Sequence, residues 1–153
     1  MIDISVTIQD EDYEATLAFF NKEGHSCETD GGSIKPNLTK IVVFDVSYMD
    51  LQHYKQKLTE LGIASNIDIE GQYDEELSDQ VFYTRFTKEG EIASKHVYEH
   101  LRNPCINDLM KLIAYSDSLV SYIKHHYKET CEPDWDNQLV YAKLYLTKQL
   151  IGV

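Results

Sequence analysis

The strongest constraint on the fold is a pattern that occurs twice, at an offset of 38 residues. Residues 2 to 8, IDISVTI, place Ile2, Ile4, Val6 and Ile8 on one face with polar residues between them, the period of a half-buried strand. Asp10 or Asp12 can then cap a helix through EDYEATLAFFNKEG. Its Tyr13, Leu17 and Phe20 form one stripe, and Gly24 suits the C-terminal stop. The second copy runs from a strand in KIVVFDVSY at 40 to 48, through Asp50 as cap, to LQHYKQKLTELG. Here Leu51, Tyr54, Leu58 and Leu61 make the stripe and Gly62 the stop. Val6 corresponds to Phe44, Ile8 to Val46, Asp12 to Asp50, Tyr13 to Leu51, Phe20 to Leu58 and Gly24 to Gly62.

A returning strand is available after each glycine, in SCETD at 26 to 30 and ASNIDIE at 64 to 70, and the turn-rich GGSIKPN joins the two units. Two tandem β-α-β units of this kind predict an α+β fold, the split β-α-β arrangement of a ferredoxin-like sandwich. Few positions are identical between the halves, so they share an architecture rather than a recognisable duplication.

The pattern changes after residue 70. GQYDEELSD reads as an acidic loop or short helical turn, and VFYTRFT and EIASKHVYEHL as a hairpin around KEG at 88 to 90, with Gly90 supplying a positive φ. A lone hairpin is marginal in water, so it is expected to extend the first sheet. From Pro104 or Asn107 to about Glu129 a helix is expected, with Ile106, Leu109, Met110, Ile113, Val120, Ile123 and Tyr127 at helical spacing. Cys131, Pro133 and Asp134 break it, and residues 135 to 150 form a last helix with a Leu139, Ala142, Leu146 and Leu150 stripe. The expectation is one domain over residues 1–153: tandem units to 70, acidic loop and hairpin to 103, then a helical hairpin that buries its stripes.

The charge is lopsided: 26 carboxylates against 14 Lys and Arg give −12, with the excess N-terminal and central. Such a field repels phosphate backbones and steers a basic protein inward at low salt, so nucleic acid is not an expected direct ligand and a basic protein is. No apolar run reaches the roughly eighteen residues a span requires, and Asp3 and Asp10 without a basic n-region argue against a leader. Cys27, Cys105 and Cys131 are an odd, dispersed set with no C-x-x-C, which fits free thiols in a reducing cytoplasm.

Catalytic patterns are weak. His96 and His100 with Glu99 and Cys105 are a conceivable metal set, but H-V-Y-E-H puts the glutamate at the wrong offset for H-E-x-x-H. His125, His126 and Cys131 would join only if the last helices return to the hairpin. Cys27 follows His25 by two positions, where thiol and imidazole do not meet, and Cys105 has no distinguishable base. DEELSD at 74 to 79 and CEPDWD at 131 to 136 lack the ligand spacing of a calcium loop, and no glycine-rich phosphate motif is present. No catalytic residue, metal ligand or cofactor is assigned.

The more suggestive constellation is aromatic. Tyr83, Arg85, His96 and Tyr98 are expected to share one hairpin face, with Phe82, Phe86, Ala93 and Val97 opposite as a core set. Tyr and Arg dominate protein contacts. Together with Asp74, Glu75, Glu76 and Asp79 they form the expected interaction surface. The leading expectation is a non-enzymatic acidic binding protein that sequesters or inhibits a basic partner, such as a toxin met by its immunity protein or a nucleic-acid-processing enzyme. One alternative is a regulatory domain holding a small molecule between sheet and helices. Another is a small enzyme or metal-binding protein using His96, His100 and Cys105. Homodimerisation is compatible with each.

Overall fold

The computed structural model of the chain describes residues 1–30, 35–70, 80–87, 89–98, 106–113, 116–130, 132–133 and 135. Its strands are β1 (Ile2–Gln9), β2 (Cys27–Asp30), β3 (Leu38–Val46), β4 (Ser65–Glu70), β5 (Gln80–Phe86) and β6 (Ile92–Tyr98). The helices are α1 (Tyr13–Lys22), α2 (Leu51–Glu60), α3 (Ile106–Leu112) and α4 (Ser116–Thr130). The strands form one open antiparallel sheet in the order β2-β3-β1-β4-β5-β6. Strands β1 and β2, joined by α1, flank β3, and strands β3 and β4, joined by α2, flank β1. Each β-α-β unit is therefore split by one strand of the other. The hairpin extends this sheet, as expected of a hairpin that would be marginal alone.

The two halves end their helices alike. The His25 N–H donates to the Phe20 carbonyl and the Gly24 N–H to Asn21, while Ile63 donates to Leu58 and Gly62 to Thr59. Gly24 and Gly62 hold φ of 89° and 72°. This is the paired closure in which a left-handed residue turns the chain back over the last helical turn. The helix starts differ from expectation. Asp12 and Asp50 have helical backbone angles and make no side-chain cap bond, because a 3-10 turn at Asp10–Asp12 and at Tyr48–Asp50 precedes each helix. Their carboxylates act there through the positive end of the helix dipole instead.

One face of the sheet carries Ile4, Val6 and Ile8, then Ile41, Val43 and Val46, then Ile67 and Ile69, all packed with Phe20, Leu51, Tyr54 and Leu58 from α1 and α2. Burying each such side chain stabilises the fold by roughly 1.5–3 kcal/mol. Val43 and Val46 could not both face the core along a regular strand. A bulge solves this: Ile4 pairs with Val43 but Ile2 with Val46, and Asp45 takes a φ of 56° while its N–H donates to Asp3 Oδ1 at 3.1 Å.

The hairpin register corrects one expectation. Phe86 pairs with Ile92 and Phe82 with His96, so paired positions have like parity. Tyr83 and Arg85 therefore share a face with Lys95 and Val97, whereas His96 and Tyr98 lie on the other face with Phe82. The cause is the odd-length loop. Thr87 N–H bonds to Glu91 O, Gly90 N–H to Thr87 O, and Gly90 sits at φ 82°, the geometry of a three-residue loop.

The single helix expected over 104 to 129 is two helices, α3 and α4, and Ser116 and Asp117 are residue types that favour a new helix start. Ile106, Met110, Ile113, Val120, Ile123 and Tyr127 are exposed rather than buried. The last expected helix and the acidic segment at 71 to 79 lie outside the described residues. No helix among the described residues is long and apolar enough to cross a membrane.

Candidate functional site

Tyr83 and Arg85 lie on the sheet face opposite α1 and α2, each only 1% exposed. Arg85 is held from several directions: its Nη1 donates to the carbonyls of Ser65 and Thr84, and its Nη2 to Asn66 Oδ1 at 2.8 Å and to Pro133 O. Its guanidinium stacks on Trp135, 3.6 Å from the ring centroid. Asn66 Nδ2 and Trp135 Nε1 both donate to Glu132 Oε1, at 2.9 and 2.7 Å, and Lys35 pairs with the other carboxylate oxygen at 3.6 Å. Burial raises the Glu132 pKa, but these hydrogen bonds and the charges of Lys35 and Arg85 outweigh it and leave the group below the ordinary carboxylate value. The network clasps the segment after α4 to the sheet. It absorbs Tyr83 and Arg85 into the interior, away from the surface on which they were expected beside His96 and Tyr98.

The face that β5 and β6 turn towards α2 is different. Lys55 Nζ lies 4.3 Å from the centroid of Phe82, and the His96 ring stacks on Phe82 at 4.2 Å and 14°. His96 Nε2 is 2.9 Å from Gln80 Oε1, and since that oxygen only accepts, Nε2 carries the proton. Burial, then the nearby Lys55 charge, lowers the His96 pKa, and burial lowers that of Lys55. Beside this stack an open cleft of about 480 Å³ runs between α2 and the hairpin. Gln52, His53, Lys55, Gln56 and Thr59 line its helix side, and Thr84, Ile92 and Ser94 its strand side.

A third surface spans the other half of the sheet, on the same face as Tyr83 but away from it. One row of cross-strand partners reads Glu28, Val42, Ser5 and Asp68. Phe44 and Asp3 continue this face next to the bulge, and Asp30 lies opposite Lys40, with which it pairs at 3.7 Å. Val42, Phe44, Asp3 and Asp68 are half-buried, Glu28 and Asp30 exposed, and Ser5 fully buried. The result is a partly apolar centre with carboxylates around it and Lys40 as the nearby cation.

The remaining sequence candidates separate. Asp74, Glu75, Glu76, Asp79, Glu99, His100, Cys105 and Cys131 lie outside the described residues. Cys27 and His25 do not form a thiol and base pair. His25 Nδ1 is 3.2 Å from Phe44 O and so carries the proton, while its Nε2 accepts from the Tyr54 hydroxyl at 2.7 Å. Burial raises the Cys27 thiol pKa, the opposite of activation. Among the described residues no group of three His, Cys, Asp or Glu is placed to hold a metal ion. Lys55 has no signal in the sequence, Phe82 is expected there only as a core residue and Glu132 only within an acidic run. Lys55 lies off the apolar stripe of α2, and apart from Trp135 the partners of Glu132, which are Asn66, Lys35 and Arg85, are distant in the chain. Comparison with protein-family models, with curated proteins and with solved structures finds no match to this chain.

Proposed function

We propose that the chain is a non-enzymatic binding protein that sequesters or inhibits a basic protein partner, such as a toxin or a nucleic-acid-processing enzyme. The observation that carries this reading is the accessible part of that row, Glu28, Val42 and Asp68, extended by Asp3 and Phe44, with Ser5 buried beneath it. A partly apolar centre inside a charged rim is the anatomy of a protein interface. The rim has the sign of the whole molecule, −12, so long-range steering and local contact favour the same partner. The acidic run with Asp74, Glu75, Glu76 and Asp79 would add to that field. Tyr83 and Arg85 take no part, because the chain buries them itself.

The interlocked strand order supports reading the first seventy residues as a ferredoxin-like split β-α-β sandwich, a fold that hosts many unrelated functions and so does not choose among them. The reading includes a reducing cytoplasmic setting, in which Cys27 remains the free thiol seen here.

The test is capture of partners from the native host lysate by the full chain at low and moderate salt, with the mass of the captured complex measured by light scattering. A stoichiometric basic protein, lost with salt and lost in the Glu28→Lys, Asp68→Lys double variant, is the expected result. Recovery of a lone monomer or homodimer, or of a partner indifferent to that double reversal, overturns the proposal.

A further inference from the structure

We propose that the cleft between α2 and the β5–β6 hairpin binds a small organic oxyanion, a carboxylate or a phosphate monoester, with its charged head at Lys55 Nζ and its body along Ile92. This site is separate from the acidic half-face and opposite in sign to it.

Two lysines of α2 show why. Lys57 has its carboxylate at hand, Glu60 at 2.7 Å. Lys55, half-buried at the cleft, has no carboxylate within ion-pair distance among the described residues, although the chain carries 26 acids. Its described contact is the Phe82 ring. An ammonium partly removed from water and facing an aromatic ring rather than an anion is poorly compensated, and its lowered pKa records that cost. The described residues lining the cleft include no acid to repel an anion. Gln52, His53 and Ser94 offer hydrogen-bonding groups, and Ile92, 58% exposed, offers an apolar wall. A volume of about 480 Å³ falls within the range of small-molecule sites. Its open shape limits affinity, so the head group contributes most of the selectivity.

The experiment is a two-dimensional NMR titration of the full chain with benzoate, phenyl phosphate and benzyl alcohol, which share a ring and differ in the head. Saturable shifts of the amides around residues 52–56 and 92–94 with one or both anions, at least about tenfold weaker with the alcohol, are expected. A tenfold ratio corresponds to about 1.4 kcal/mol, the scale of one partly desolvated charge contact. The two anions distinguish a carboxylate from a phosphate ligand. Lys55→Met, which keeps the stem over Phe82, should lose this preference, and Lys57→Met should keep it. If Lys55→Met loses its dispersed spectrum, Ser94→Phe, which fills the cleft from an exposed strand position, should abolish the shifts. Shifts that never saturate, equal binding of the alcohol, or anion binding that survives these cleft substitutions overturn the proposal. The acidic half-face plays no part in any outcome, so failure here leaves the partner reading untouched.

Discussion

Arg85 lies over Trp135, with its guanidinium carbon 3.6 Å from the ring centroid, and so joins a sheet strand to the segment that follows α4. Removing the guanidinium strands the acceptors it serves and leaves a void where a 1%-exposed side chain stood. Arg85→Ala should therefore destabilise the fold by about 2–4 kcal/mol, and Arg85→Lys by about 1–3 kcal/mol, because an ammonium cannot make the planar fork. Urea denaturation midpoints measure both. A cycle with Trp135→Ala should return a coupling of roughly 0.5–2 kcal/mol, and additivity would show the stacking to be incidental.

Glu132 makes the same clasp sensitive to acid. Its folded pKa lies below the ordinary value of 4.5, so the folded state holds the carboxylate more readily than the unfolded chain does. Its contribution is complete above that value and is lost as the pH falls through the lower folded pKa. Glu132→Gln should flatten the acid limb of the stability curve between those two values. An unchanged limb would assign the acid sensitivity to other carboxylates.

The bulge at Asp45 predicts an opposite pair of effects. A left-handed φ of 56° costs an ordinary side chain about 1 kcal/mol and glycine nothing. Asp45→Gly should thus be neutral or stabilising by up to about 1 kcal/mol, while Asp45→Val should destabilise by about 1–2 kcal/mol and disturb Val46 in the core. Asp3→Ala should cost about 1 kcal/mol by removing the acceptor of the Asp45 N–H. Thermal unfolding of the three variants tests the set, and a less stable Asp45→Gly would contradict the backbone account.

These positions also show where the sequence was legible. The strand–helix–glycine pattern stood out because each step of it is local: alternation, a stripe at helical spacing, and a glycine whose positive φ no other residue takes freely. The bulge was hidden because one inserted residue inverts the facing of Val46 without altering composition. The hairpin turn was legible in Lys88–Gly90, and its odd length already implied that Tyr83 and His96 fall on opposite faces. Spacing by two fixes a shared face within each strand, for Tyr83 with Arg85 and for His96 with Tyr98, but only the cross-strand register, Tyr83 with Lys95, decides that the two pairs face apart. The Arg85–Glu132–Trp135 clasp and the Lys55–Phe82–His96 stack could not be read locally at all, since each joins elements whose proximity depends on the completed sheet.

That stack makes a final prediction about pH. His96 faces Phe82, Gln80 and Tyr98 within the sheet, and Lys55 from α2 lies against the same Phe82 ring. Burial is the first cause of its lowered pKa and the Lys55 charge the second. Lys55→Met should consequently raise the His96 pKa without restoring it fully to the ordinary 6.5, because the ring remains stacked. A folded pKa below the unfolded one means that the unfolded chain takes the proton first, so stability falls as the pH drops below about 6.5 and through the folded value. His96→Gln should remove that part of the slope. Following the imidazole Cε1 proton by NMR across this range reads the pKa directly. A His96 that titrates at 6.5 or above in the native chain would mean that neither burial against Phe82 nor the Lys55 charge governs it.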